Sequence, residues 1–254
     1  MALLTADLFS EALEVGTSIT VVLPQSTQTQ IGVAAVDVPD HGWPVLYLLH
    51  GLSDDHTAWV RYTSIERYAT AAGLAVVMPA AGRSFYADEA HGHRYWTWIS
   101  AELPQRVGEM FRLSARPGDT YVAGLSMGGY GALKLALTHP ERYAGAASLS
   151  GAVDVRSLTE RPERRELLTR VFDGTVGADD DIFELLDRAD VSTVPPLYLG
   201  CGTEEVELLA ANTRLATAAR DAGIEVTTDF RPGVHEWGLW DATIRDVIAW
   251  LPRG

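Results

Sequence analysis

Apolar positions along the 254-residue chain follow two rhythms. Six short runs, VLYLLH (45–50), LAVVMP (74–79), TYVAGL (120–125), YAGAASLS (143–150), PLYLGC (196–201) and EVTTDF (225–230), are continuous or alternating in apolar residues. Each is bounded by Gly, Pro or polar turns, so each predicts a strand. Between them, 63–72, 97–112, 128–138, 206–222 and 237–250 read as helices. Strand and helix therefore alternate, which predicts a mostly parallel sheet covered by helices on both faces, a three-layer α/β sandwich. Upstream, FSEALEV and SITVVLP (18–24) predict an opening pair of strands that turns near Gly16 and Thr17. One stretch breaks the rhythm: 154–190 is far more charged than its neighbours and lies between two core strands. It predicts an exposed helical excursion over the sheet edge, either a lid or a solvated connection. With 47% hydrophobic residues and no internal repeat, residues 1–254 are expected to form one domain.

Chemistry concentrates where the third core run meets its helix, in YVAGLSMGGYG (121–131). Gly124-Leu125-Ser126-Met127-Gly128 fits G-x-S-x-G, a turn that exposes a serine hydroxyl at a helix N-terminus, and the strand before and helix after it are the context the motif needs. A phosphate-binding loop is excluded because Tyr130 stands where such a loop needs Lys. A serine is a weak nucleophile until a base, itself held by a third group, takes its proton. In this architecture the order along the chain is serine, acid, histidine, and only His139 and His235 follow Ser126. His139 lies at the far end of the intervening helix, roughly 20 Å away at ~1.5 Å per residue, which leaves His235 in RPGVHEWGLW. The acid is expected just past a core strand: Glu204 and Glu205 after 196–201, or Asp154 after the strand ending near Ser150. The backbone N–H of Met127 is one expected oxyanion donor, and the N–H of Leu52 in LLHGLSDD (48–55) is the second. His50 is expected to brace that turn.

Charge and cysteine content narrow the partners. With 20 basic against 34 acidic residues the formal charge is −14, which repels nucleic acid and anionic lipid. Cys201 is the single cysteine, expected to be a small core residue, and no disulfide can form within the chain. The N-terminal stretch lacks a basic segment and no apolar run reaches about 20 residues, so a soluble, cytoplasmic protein is expected. His91-Gly92-His93 with Asp88 and Glu89 lacks a third ligand motif, and serine chemistry needs neither metal nor cofactor. Neither is expected, and a homo-oligomer stays open.

HGLSDDHTAW, GLSMGGYGALKLAL, CGTEE and PGVHEW, in this order, resemble the esterase D superfamily of α/β-hydrolases, most closely its tributyrin-esterase-like branch. S-formylglutathione hydrolases, feruloyl and acetyl-xylan esterases and mycolyltransferases are related branches. The resemblance spans nearly the whole chain and implies an α/β-hydrolase fold with Ser126 as nucleophile, His235 as base, and Leu52 and Met127 as oxyanion donors. The family usually has Asp where this chain has Glu205; glutamate also serves in such triads, so Glu205 is the implied acid. Segment 84–98 resembles the family's aromatic loop, which implies Trp59, Tyr86, Trp96, Trp237 and Trp240 as substrate-pocket residues. The expected function is a serine carboxylesterase for small, uncharged, short-chain esters. An acyltransferase, an S-formylglutathione hydrolase-like thioesterase and a catalytically silent binding module are the alternatives.

Overall fold

The computed structural model describes residues 1–27, 29, 31, 37 and 39–252. Its centre is one eight-stranded sheet in the order β1-β2-β4-β3-β5-β6-β7-β8. These strands are β1 (Ala2–Ser10), β2 (Val15–Leu23), β3 (Val45–Leu49), β4 (Ala75–Pro79), β5 (Thr120–Leu125), β6 (Gly145–Leu149), β7 (Leu197–Gly202) and β8 (Val226–Arg231). β3 to β8 run parallel, while β1 and β2 form an antiparallel pair on the β4 edge. This is the α/β-hydrolase fold.

The opening turn lies earlier than the sequence pattern predicts. Ser10 pairs with Val15 and Gly16 lies inside β2 opposite Phe9, so residues 11–14 make the turn. The reason is tertiary: the Glu102 carboxylate accepts from the Ser10 hydroxyl (2.6 Å) and from the N–H groups of Glu11 and Ala12 (both 3.0 Å), while Glu14 takes φ 57°. Glu102 itself ends a π-type turn, Trp98–Glu102, that joins two helices defined below.

Among the described residues ten α-helices flank the sheet: α1 (Ala58–Tyr62), α2 (Ile65–Ala72), α3 (Tyr95–Thr97), α4 (Leu103–Met110), α5 (Met127–Thr138), α6 (Val155–Leu158), α7 (Arg165–Phe172), α8 (Ile182–Arg188), α9 (Val206–Asp221) and α10 (Trp237–Trp250). Strand alternation sorts the core into two layers. Val45, Tyr47 and Leu49 face one cluster with α4, α5, α7, α8 and α9, whereas Leu46 and Leu48 face another with α1, α2 and α10. The charged excursion contributes α6, α7 and α8, and its apolar residues Leu168, Phe172, Ile182 and Leu186 join the first cluster. It is fastened to α5 from below: buried Lys134 reaches Asp180 Oδ1 (2.5 Å) and the Tyr86 carbonyl (3.1 Å), and the Tyr130 hydroxyl donates to the Asp180 carbonyl (2.6 Å). Among the described residues, no helix is long and apolar enough to cross a membrane.

Parallel register brings the C-terminal ends of the strands to one rim. Leu49 pairs with Gly124, Leu125 with Leu149, and Gly202 with Arg231. Every loop that carries a sequence-derived candidate therefore opens on the same side, where ligands of open α/β sheets bind.

Candidate active site

Ser126 stands between β5 and α5 with φ 52° and ψ −113°, a conformation costly for a residue with a Cβ. Its backbone is tied down on both sides: its N–H donates to the Leu149 carbonyl (2.8 Å), and its carbonyl accepts from the N–H groups of Tyr130 (3.1 Å) and Ala152 (3.0 Å). The flanking glycines are required by contact. A Cβ on Gly124 would lie 2.3 Å from the Gly128 carbonyl oxygen, and one on Gly128 would lie 2.4 Å from that of Leu49.

Across the rim, Glu205 and His235 meet. Glu205 Oε2 lies 2.5 Å from His235 Nδ1, and its Oε1 accepts from the Ser150 hydroxyl (2.6 Å) and the Gly202 N–H (2.8 Å). Because a carboxylate only accepts, Nδ1 carries a proton, and Nε2, on the cavity side of the pair, is the base when the ring is neutral. The Glu205 side chain is 3% exposed and that of His235 40%, so a buried anion faces a ring open to the cavity. Burial alone would raise the Glu205 carboxyl, but hydrogen bonds from His235, Ser150 and Gly202 outweigh it and hold the group below its ordinary range. The two loops are joined by backbone bonds, Thr203 N–H to the Arg231 carbonyl (2.9 Å) and Glu204 N–H to that of Gly233 (3.1 Å). A Cβ on Gly202 would lie 2.3 Å from the Gly233 oxygen, so only glycine lets them approach this closely.

The other acids are engaged elsewhere. Glu204 is exposed, and Asp154 caps α6 through the Ser157 N–H (3.2 Å) and pairs with Arg214 (2.7 Å). His139 stacks on Trp96 at the far end of α5. His50 braces its turn: the Ala81 N–H donates to Nε2 (3.0 Å), so Nδ1 donates to the Gly51 carbonyl (2.7 Å). Burial lowers its pKa, and the ring is a neutral strut. Cys201 is buried beside Glu205; desolvation, then the neighbouring carboxylate, pushes its thiol up to about 12, which keeps it unreactive. The N–H groups of Leu52 and Met127 meet no acceptor among the described residues.

The chain and its fold have counterparts among known proteins. The family model "Putative esterase" matches residues 10–251. The chain belongs to that esterase family. An acetyl esterase of Caldicellulosiruptor saccharolyticus is 26% identical over 100% of this chain and 99% of its own. The fluorophosphonate-binding serine hydrolase FphF of Staphylococcus aureus superposes with a TM-score of 0.88 at 31% identity, covering 98% of both chains. S-formylglutathione hydrolase FrmB of the same organism gives 0.84 at 32%, also over 98% of both. The protein is thus a serine hydrolase of the carboxylic-ester-hydrolase class.

Two adjoining cavities of the esterase share Ser126, His235 and Leu52. One, of about 490 Å³, is walled by Phe85, Met127, Leu158 and Val234 together with Glu205. The other, of about 660 Å³, is walled by Trp237, Trp240, Asp54, Arg83 and Arg164. Of the aromatic residues expected at the pocket, Trp237 and Trp240 line it, with the Trp240 ring edge-on to His235 at 4.8 Å. Trp59, Tyr86 and Trp96 line neither cavity, and this corrects the sequence reading. Trp59 Nε1 donates to the Leu49 carbonyl (3.1 Å) and the Tyr86 hydroxyl to that of His50 (2.9 Å), so both are buried supports of the 50–55 loop. Trp96 packs beneath the Lys134 ammonium, 4.2 Å from its ring centre. The sequence reading singled out segment 84–98 without naming its Phe85, and it missed Ser150, Arg83 and Arg164, none of which carries a local motif. The His91 imidazole pairs with Asp173 (2.9 Å) and Glu89 with Arg170, and no metal-holding group of three occurs among the described residues.

Proposed function

We propose that this esterase hydrolyses short-chain carboxylic esters through an acyl-enzyme on Ser126. The supporting observation is the His235–Glu205 pair opening on the same cavity as a serine held at a strained strand-to-helix turn. His235 Nε2 takes the Ser126 proton as Oγ attacks the ester carbonyl. The oxyanion that forms is met by the unengaged N–H groups of Leu52 and Met127, while Glu205 holds the imidazolium through Nδ1–H. Collapse breaks the carbon–oxygen bond to the alcohol, which leaves with the proton from His235. A water activated by the same imidazole then releases the acid and restores Ser126. Short acyl chains are supported by similarity to a protein named as an acetyl esterase.

Ser126→Ala should lower turnover of 4-nitrophenyl acetate by about four orders of magnitude or more, the scale seen when a nucleophile is removed from such a unit. It should also abolish labelling by a fluorophosphonate while leaving the circular dichroism spectrum unchanged. Wild-type turnover in that variant would move the nucleophile elsewhere. A series of 4-nitrophenyl esters from acetate to decanoate should show kcat/KM falling with chain length, and a maximum at the long end would reject the short-chain reading.

A further inference from the structure

We infer that Arg83 and Arg164 make this site selective for esters carrying a carboxylate group, an inference that rests on ester hydrolysis at Ser126. Both arginines line the chamber walled by Trp237 and Trp240, which holds Ser126 and His235, and Arg164 borders the neighbouring chamber as well. Neither guanidinium has a hydrogen-bond or ion-pair partner among the described residues, although Arg156, Arg161, Arg170 and Arg231 are all paired with acids. The single carboxylate lining that chamber, Asp54, already accepts from the Gly51 N–H (3.2 Å). In the neighbouring chamber Glu205 is committed to His235 and Glu207 to Arg161, while the exposed Glu204 also lines it without a cationic partner among the described residues. Two unengaged cations therefore border the cavity that holds the nucleophile, in a protein whose formal charge is −14.

Their backbones are held by the fold, with Arg83 exposed and Arg164 half-buried. Arg83 sits on a loop pinned by the Ala81–His50 bond and by Arg170 Nη2, which donates to the Arg83 carbonyl (3.1 Å). Arg164 closes a helical turn through the Arg161 carbonyl (3.0 Å) at the start of α7. A guanidinium presents a planar fork of donors that matches a carboxylate, and it does so best where water is partly excluded, as in a cavity. The negative field of the whole chain opposes a dianionic phosphate more than a singly charged carboxylate, which favours the latter. The uncharged substrate expected from net charge alone is thus set against the local distribution.

Two matched pairs of substrates test this: 4-nitrophenyl hydrogen glutarate against 4-nitrophenyl pentanoate, and 4-acetoxybenzoate against 4-acetoxybenzamide. The charge lies on the acyl side in the first pair and on the leaving group in the second. After subtraction of spontaneous hydrolysis, the anionic member of at least one pair should have the higher kcat/KM at low salt. Arg83→Gln and Arg164→Gln should each reduce that pair's anionic-to-neutral ratio about tenfold, mainly through KM, the scale of one charge-assisted hydrogen bond. Molar salt should shrink the preference. The pair that responds identifies which side of the ester meets the arginines. Turnover of the neutral esters with both ratios indifferent to both substitutions would overturn the inference and leave the esterase reading standing. Failure to turn over any ester, together with no fluorophosphonate labelling, would defeat that reading and the inference with it.

Discussion

Ser150 shows how a residue with no motif can set the geometry of its neighbours. Its hydroxyl has one proton, which it gives to Glu205 Oε1, and it accepts from Trp240 Nε1 (3.1 Å). It is fully buried and holds φ 47°, so the relay from Trp240 through Ser150 and Glu205 to His235 has little freedom. Ser150→Ala would leave both the indole N–H and one carboxylate oxygen short of a partner, costing about 1–3 kcal/mol of stability. It would also let the Glu205 carboxylate swing, and the expected result is a fall in kcat of about tenfold with a smaller change in KM. Trp240→Phe keeps the ring edge against His235 and removes only the first donor, so its effect on kcat should be smaller. Steady-state kinetics of both variants, with thermal melts to separate folding from positioning, check the order. A Ser150→Ala enzyme with wild-type kcat would show that Gly202 and His235 suffice to hold the acid.

Elements were legible to the extent that their signal is local. All six core strands lie within about two residues of the runs that predict them; five are buried on both faces and so are almost free of charged residues, while β8, half-buried at the sheet edge, carries polar ones. The G-x-S-x-G turn was legible for the same reason: its glycines answer to contacts with the adjacent β3–α1 loop and helix. The β1–β2 turn was not, because Glu102, some 90 residues away, decides where it closes. Trp59, Tyr86 and Trp96 misled because an aromatic near a site in sequence can equally support a loop, and each directs its polar atom or ring face to such a task. Arg83, Arg164 and Ser150 gain meaning only when three loops converge. Lys134 was visible as the single charge on an otherwise apolar α5, but its partner Asp180 lies in the excursion. That pair makes a prediction for the element it fastens. Lys134→Met should lower the unfolding free energy by about 2 kcal/mol, less than the 3–5 typical of a broken buried pair because Asp180 keeps some contact with water. Proteolysis should then cut first within 154–190, and adding Asp180→Asn should restore part of the loss. Urea titration with limited proteolysis reads both; cleavage sites unchanged from wild type would mean that the apolar contacts of α7 and α8 alone anchor the excursion.

For the molecule as a whole, the carboxylates tie stability to pH. Glu205 has a folded pKa below its unfolded reference of 4.5, because its hydrogen bonds to His235, Ser150 and Gly202 overcome the cost of burial. Glu102, opposed by burial but bonded to Ser10 and to the N–H groups of Ala12 and Glu11, shifts the same way, and so does Asp119, held down chiefly by Arg116. For each, the unfolded chain takes up the proton first as pH falls. The stability each supplies is therefore fully present above the unfolded value and is lost as pH drops through the folded one. Asp54, raised by burial, works in the opposite direction, but it is one group against six, because Asp55, Asp190 and Asp246 shift down as well. Unfolding free energy should accordingly begin to fall below about pH 6.5, where the unfolded chain protonates His50 and His139 while burial keeps the folded rings neutral, and should fall more steeply below about pH 4.5 as the carboxylates follow. Glu205→Gln isolates one contribution: it removes the anion without removing bulk, so the gap between wild type and variant should be widest near pH 7 and narrow steadily in the acid range. Urea titrations of both proteins across that range decide the matter. A gap independent of pH would mean that Glu205 supports the fold through packing and neutral hydrogen bonds, and that its charge acts only on His235.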